Sequence, residues 1–171
     1  EGYVSTIEHP LMDTFAEKSV SIVHRYQDRF ADDSWDSEML SELQYAAMLA
    51  GWVQNHCIVG LSHAIAHQLG HFNLGHGLAN GLLMPTVIEF NYQDAFAAEK
   101  YARLIRNAGI SDKQELMQLF NQLVADQRPS LSFNEAQLNT IAKNALLDPA
   151  AKANPVFFTE DDVKEIVMQC L

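Results

Sequence analysis

Histidines concentrate in one short stretch of the sequence, HAIAHQLGHFNLGHGLAN at residues 63–80. Four of the chain's seven histidines lie within it, namely His63, His67, His71 and His76. Neutral imidazole is the commonest protein ligand for transition metals, and its charge changes near physiological pH. Residues four apart lie one above the other on a helix, so His63, His67 and His71 can share one face and chelate a divalent metal. The stretch therefore predicts a metal site.

The residues around these histidines exclude several kinds of metal site. A zinc protease of the HExxH kind needs a glutamate directly after the first histidine, and none lies between His63 and His67. A structural zinc site would use cysteines or four convergent ligands, but Cys57 and Cys170 are not at ligand spacing. Two or three imidazoles without a nearby carboxylate form half of a catalytic site. We therefore expect the remaining ligands to come from outside this segment.

The elements that must position the histidines are predicted to be helices, because apolar residues recur at helical spacing along most of the chain. The predicted helices cover residues 10–31, a segment that begins at Asp36 or Ser37, and residues 61–69, 76–90, 94–107, 113–126, 134–147 and 159–171. Only Asn154 to Phe158 resembles a strand. The sequence predicts one all-α domain over residues 1–171, a multi-helix bundle. A complete dinucleotide-binding fold is excluded within it, because there is no strand–helix alternation and no glycine-rich phosphate loop.

Particular residues mark where these helices begin and end. Asp32-Asp33-Ser34 is expected to break the first helix, and Asp36 or Ser37 to cap the second. Gly70 is expected to close the helix of the histidines, and Pro85 to kink or end the following one. Gly109 suits a C-terminal stop, Ser111-Asp112 a cap, and Thr159 a cap with Asp162 three residues on.

Composition excludes some partners. The net charge of -11, with only 11 lysines and arginines, argues against a nucleic-acid surface, which needs clustered positive charge. No apolar run has membrane-spanning length, and no secretory signal pattern opens the chain. Cys57 and Cys170 lie far apart and are interpreted as reduced, partly buried thiols of a cytoplasmic protein.

The segments HAIAHQLG and HGLANGLLMPTVIEFN together resemble the signature of the iron-containing (type III) alcohol dehydrogenases. The resemblance extends to the opening EGYVS, the segment AGWVQNHCIVG and the tail, where Asn154-Pro155 precedes Thr159. It implies that His63 and His76 are metal ligands, and that His67 lies close to the substrate and nicotinamide as a catalytic residue. The metal would be Fe(II), with Zn(II) possible in some members.

The same resemblance implies that this chain is the C-terminal helical domain of a larger enzyme. Family members carry an N-terminal nucleotide-binding domain for NAD or NADP, which ends in a D-x-x-x-H segment that supplies the other two ligands. That segment would immediately precede Glu1. We therefore expect an NAD(P)-dependent dehydrogenase of small alcohols or aldehydes, a homo-oligomer in the cytoplasm, whose isolated C-terminal domain is inactive.

Two alternatives remain open from the residues alone. One is a stand-alone helical metal-binding or metal-sensing module that uses His56, His63, His67 and His71 as one stripe. The other treats the histidines as incidental to a helical bundle.

Overall fold

The computed structural model describes residues 1–30 and 34–171. Its α-helices are α1 (Pro10–Arg25), α2 (Ser37–Cys57), α3 (Leu61–Leu69), α4 (His76–Asn91), α5 (Ala95–Ala108), α6 (Lys113–Val124), α7 (Glu135–Leu147) and α8 (Glu160–Cys170). Short 3₁₀ turns at Gly2–Val4, Gln27–Arg29, Gly70–Phe72, Ala125–Gln127 and Pro149–Ala153 join or extend them. The predicted all-α fold is confirmed.

The predicted strand at Asn154 to Phe158 is wrong, since the described residues contain no strand. The segment bends instead of pairing, because the Asn154 side-chain amide donates to the carbonyl of Val156, 2.8 Å away. Pro155 also lacks the N–H group that a ladder would need.

Three helices begin at the predicted caps Asp36, Asp112 and Thr159, and α5 and α7 begin at caps of the same kind. The side chains of Asp36, Asp94, Asp112, Asn134 and Thr159 each accept a backbone N–H in the first turn of the helix they precede. Thr159 and Asp162 form a reciprocal capping box, as expected. Gly109 ends α5 with a left-handed φ of 77°, which glycine adopts without a steric penalty.

The end of the first helix differs from the prediction. Helix α1 ends at Arg25, where Tyr26 leaves helical geometry and donates its hydroxyl to Glu42 of α2 at 2.9 Å. The expected break therefore comes earlier. Ala31, Asp32 and Asp33 lie outside the described residues.

Gly70 closes the helix of the histidines as expected, since α3 ends at Leu69 and Gly70 is its C-cap. It keeps a right-handed φ of -56°, and the turn continues through Phe72 to Asn73, whose φ of 61° reverses the chain. Asn tolerates this left-handed conformation better than most residues because its short polar side chain can bond locally. The chain reversal at Asn73 places His76 at the start of α4.

Helix α4 is the centre of the bundle and carries Pro85 in its interior without ending. Its residues Leu83 and Val87 belong to one apolar cluster with α3, α7 and α8, while Met84 and Ile88 belong to a second cluster with α1, α2, α5 and α6. A helix that is apolar on all sides is a buried one. Packing on every side of α4 offsets the local cost of Pro85.

Helix α3 packs against α4 and α7 and carries His63 and His67. Its residues Leu61, Ile65 and Leu69 are fully buried, whereas His63 is partly buried and His67 is exposed. Cys57 and Cys170 are buried free thiols. No helix in the described part of the chain is long and apolar enough to cross a membrane.

Candidate metal centre

Three imidazole rings meet where α3 and α4 begin to run side by side. The ring centroids of His63 and His76 are 5.1 Å apart, those of His67 and His76 5.5 Å, and those of His63 and His67 6.1 Å. We call His63, His67 and His76 the histidine cluster. The structure thus brings together all three histidines that the sequence analysis assigned to the site.

His63 is held by Glu1, a residue that the sequence analysis did not assign. Its Nδ1 lies 2.5 Å from Glu1 Oε2, and the Glu1 side chain is only 2% exposed. The same carboxylate accepts the backbone N–H groups of Ser62 at 2.5 Å and of His63 at 3.1 Å. Burial raises the pKa of Glu1, but the hydrogen bonds from the His63 side chain and from the backbone of Ser62 act in the opposite direction, and this pKa lies below the usual value.

Asn154 completes the cap on α3. Its Oδ1 accepts the backbone N–H of Leu61 at 3.1 Å, and its amide group donates to Oδ1 of the fully buried Asn91 at 2.9 Å. Gly60 precedes the helix and has no side chain to cap it. A Cβ on Gly60 would come within 2.6 Å of Asn154 Oδ1, so a larger residue there would displace the side chain that caps α3.

His67 is held by a second carboxylate. Its Nδ1 lies 2.8 Å from Oδ2 of Asp148, and its side chain is 43% exposed. The other oxygen of Asp148 accepts the backbone N–H of Ala150 at 2.9 Å, which fixes the carboxylate at the start of the turn Pro149–Ala153. His67 is therefore oriented from one ring nitrogen while its other edge faces solvent.

His76 has an amide as its neighbour instead of a carboxylate. Asn80, one helical turn later, places its Nδ2 3.3 Å from His76 Nε2 and 3.1 Å from the His76 carbonyl. Asn80 in turn accepts a hydrogen bond from Ser62 at 2.7 Å, which links α4 to α3. Burial and the neighbouring rings of His63 and His67 lower the pKa of His76, which favours the neutral imidazole that binds metals.

The remaining histidines lie apart from this cluster. His71 is exposed, and among the described residues its ring contacts no other histidine. His56 stacks on Trp52 at 5.6 Å and lies 6.0 Å from His9. His24 bonds Glu115 at 3.0 Å. The stripe of His56, His63, His67 and His71 that a stand-alone metal module would use is therefore not assembled.

The donor set fits part of a transition-metal site. Imidazole nitrogens suit iron and zinc, and two of the three rings are oriented by carboxylates, as metal-bound histidines commonly are through their other ring nitrogen. Within residues 1–30 and 34–171, however, no group of three or more His, Cys, Asp or Glu side chains is placed to hold a metal ion by itself. The cluster therefore offers donors of a suitable kind, without a complete ligand set among the described residues.

A cavity of about 200 Å³ lies behind His63. Glu1 and His63 line it, together with apolar residues such as Val53 and Met84, but His67 and His76 do not. The hydroxyl of Tyr101, which also lines the cavity, is buried and has no hydrogen-bond partner among the described residues. Burial raises the pKa of this hydroxyl, so Tyr101 is uncharged at neutral pH.

The model of the C-terminal part of the Fe-containing alcohol dehydrogenase family matches residues 1–171. This chain belongs to that family. Alcohol dehydrogenase 4 of Schizosaccharomyces pombe is 32% identical to it, over 97% of this chain and 41% of the relative. The 1-propanol dehydrogenase of Salmonella typhimurium is 32% identical, over 100% of this chain and 51% of the relative.

A solved structure agrees with the family assignment. The iron-containing alcohol dehydrogenase of Thermococcus thioreducens superposes with a TM-score of 0.86 at 26% identity, over 99% of this chain and 46% of that one. The chain spans about half the length of the curated relatives that it matches.

Proposed function

We propose that this chain is the metal-binding half of an NAD(P)-dependent alcohol dehydrogenase that interconverts alcohols with aldehydes or ketones by hydride transfer. The observation that carries the proposal is the convergence of His63, His67 and His76 within 5.1 to 6.1 Å, in a chain matched along its whole length by the family.

In this proposal His63 and His76 hold Fe(II) from one side, with Zn(II) as the alternative metal. An aspartate and a histidine outside this chain complete the site, as the resemblance to the family implies. When bound, the metal acts as a Lewis acid that polarises the substrate oxygen. His63 contributes from α3 and His76 from the first turn of α4, so the rigid packing of these two helices sets the distance between the donors.

His67 serves as the proton-handling residue. Asp148 engages its Nδ1, so Nε2 is the nitrogen left to accept or return a proton or to orient the substrate oxygen. Its exposed position beside His76 keeps it accessible to substrate and to the nicotinamide.

The nicotinamide cofactor and the oligomer interface belong to the rest of the enzyme in this proposal. One relative is named as an NADPH-dependent butanol dehydrogenase and another as an NAD-dependent methanol dehydrogenase, which supports a small alcohol as substrate and either nucleotide as cofactor. We place the enzyme in the cytoplasm as a homo-oligomer, and we expect the isolated chain to be inactive.

The test combines activity with metal content. The full-length gene product is assayed with short alcohols and aldehydes, with NAD or NADP and with Fe(II) or Zn(II). His63→Ala and His76→Ala should each abolish bound metal and lower kcat/KM by at least about a hundredfold. His71→Ala, at the exposed histidine outside the cluster, is the matched control and should behave like the wild type. Full metal content and activity in both cluster variants would overturn the proposal.

A further inference from the structure

We propose that Glu1 is a positioning residue that fixes His63 with a proton on Nδ1, and so reserves Nε2 for the metal. The inference deepens the proposed function and rests on it for the identity of the ligand. The proton position itself does not depend on that function, because hydrogen bonding in the metal-free chain already determines it.

The contact between Glu1 and His63 determines which ring nitrogen carries the proton. An ionised carboxylate only accepts hydrogen bonds, so the His63 nitrogen 2.5 Å from Glu1 Oε2 must carry the proton. In neutral imidazole the other nitrogen then holds the lone pair. No partner of His63 Nε2 is found among the described residues, and this is the nitrogen left to meet a ligand beside His76.

Both oxygens of Glu1 are committed, so the contact has one geometry. Oε1 accepts from the backbone of Ser62, and Oε2 accepts from both the backbone and the ring of His63. The carboxylate thus holds the helix N-terminus and the side chain of its third residue together. With the His63 side chain 14% exposed and that of Glu1 2% exposed, water has little access to compete for this bond.

The segment that carries Glu1 is anchored independently of the cluster. The Tyr3 hydroxyl donates to Glu17 at 2.6 Å and accepts from Arg103 Nε at 2.8 Å. Ser5 donates to the carbonyl of Cys57 at the end of α2. A Cβ on Gly2 would lie 2.8 Å from a methyl group of Val53, so Gly2 allows this segment to approach α2 closely. The position of Glu1 is therefore set by α1, α2 and α5.

His67 provides a comparison for His63, because it also contacts a carboxylate through Nδ1. Asp148 also accepts a hydrogen bond from Nδ1 of a histidine, His67, but the side chain of His67 is 43% exposed. Among the described residues, Asp148 makes no hydrogen bond to the backbone of α3. Asp148→Asn is therefore a matched control, which alters the carboxylate at His67 and leaves the one at His63 in place. Asparagine keeps an Oδ1 that can accept from Ala150.

The first measurement is the proton position on the ring of His63 in the metal-free 171-residue chain, read from long-range ¹H–¹⁵N correlations at alkaline pH. We expect the Nδ1–H form in the wild type and in Asp148→Asn. In Glu1→Gln the amide group can donate to Nδ1 while its oxygen stays on the helix, so His63 should change to the Nε2–H form. A wild-type ring in the Nε2–H form, or one unchanged in Glu1→Gln, would overturn the inference. The wild-type result decides by itself if Glu1→Gln does not fold.

The second measurement is Zn(II) affinity of the same three proteins by competition with a chromophoric chelator. Glu1→Gln should bind about 10- to 100-fold more weakly than the wild type, the usual effect of removing the partner of a metal-bound histidine. Equal affinity in Glu1→Gln and the wild type would overturn the inference. If the isolated wild-type chain binds no Zn(II), as an incomplete ligand set allows, the affinities are compared in the full-length gene product. Absence of bound Zn(II) there, with His63 in the Nδ1–H form, would overturn the metal site of the proposed function while the role of Glu1 stands.

Discussion

At the scale of single residues, the histidine cluster shows how neighbours decide what identical side chains can do. His63 and His67 each contact a carboxylate through Nδ1, whereas His76 contacts the side-chain amide of Asn80. Imidazole has two different nitrogens, and the partner of one determines the state of the other. The three rings therefore have different hydrogen-bonding environments although they lie within a few ångströms of one another.

A different carboxylate, Glu115 at the start of α6, makes stability depend on pH. The hydrogen bond with His24 and those from Ser111 hold its pKa at about 2. Because this pKa lies below its unfolded value of 4.5, the contribution of Glu115 is full above pH 4.5 and is lost as the pH falls towards 2. We expect the free energy of unfolding of the wild type to fall across that window by about 1 to 2 kcal/mol more than that of Glu115→Gln.

Urea denaturation at a series of pH values measures this difference. The control is Glu99→Gln, at an exposed carboxylate on α5, which should follow the wild-type pH dependence. Parallel curves for the wild type and Glu115→Gln would show that the contacts of Glu115 with His24 and Ser111 do not stabilise the fold.

At the scale of helices, the crossing of α4 and α6 depends on the absence of a side chain. A Cβ on Gly81 would lie 2.6 Å from a methyl group of Val124, which is buried and β-branched. We expect Gly81→Ala to lower the free energy of unfolding by about 1 to 3 kcal/mol, since overpacking outweighs the gain in helix propensity.

Gly51→Ala is the control for helix propensity, because a Cβ on Gly51 in α2 meets no atom within 4 Å. It should raise the free energy of unfolding by about 0.5 to 1 kcal/mol. Adding Val124→Ala to Gly81→Ala should cost less than the sum of the single changes. Thermal and urea denaturation measure all four variants, and strict additivity would rule out the predicted contact.

The starts of some helices can be predicted from local sequence patterns, whereas the start of α3 cannot. Asp94, Asp112, Asn134 and Thr159 lie next to the helices they cap, so local patterns predict those starts. The cap of α3 comes from Glu1 and Asn154, which no local pattern could pair with residues 61–63. Spacing alone favours His63, His67 and His71 as a group. The family resemblance, not the spacing, predicted that His63 and His76 lie together. In the structure the chain reversal at Asn73 brings them close.

At the scale of the whole molecule, a buried ionic network joins the N-terminal turn to α1 and α5. Lys100 is 5% exposed, and its Nζ lies 2.8 Å from each oxygen of Asp13 and 4.7 Å from the centre of the Tyr3 ring. Arg103 also donates to Asp13. A buried charge that loses its partner is costly, even where the pair itself adds little.

We expect Lys100→Met to lower the free energy of unfolding by about 3 kcal/mol, because Asp13 keeps its charge in a partly buried site with Arg103 alone. The double variant Asp13→Asn with Lys100→Met should recover part of that loss. Urea denaturation of the two variants and the wild type gives the measurement. A double variant less stable than Lys100→Met would contradict this account.

The cap on α3 also bears on the order in which the molecule folds. Helix α3 has 9 residues, too few to be stable alone in water, and its first N–H groups are held by residues 1 and 154. Contacts between such distant parts of a chain form slowly, so the first turn of α3 should become ordered late. The amide hydrogens of Leu61, Ser62 and His63 should then exchange with solvent only when much of the bundle opens, although they lie at a helix end, where fraying is usual. A change that loosens the segment around residue 1 or residue 154 should therefore also affect the histidines on α3.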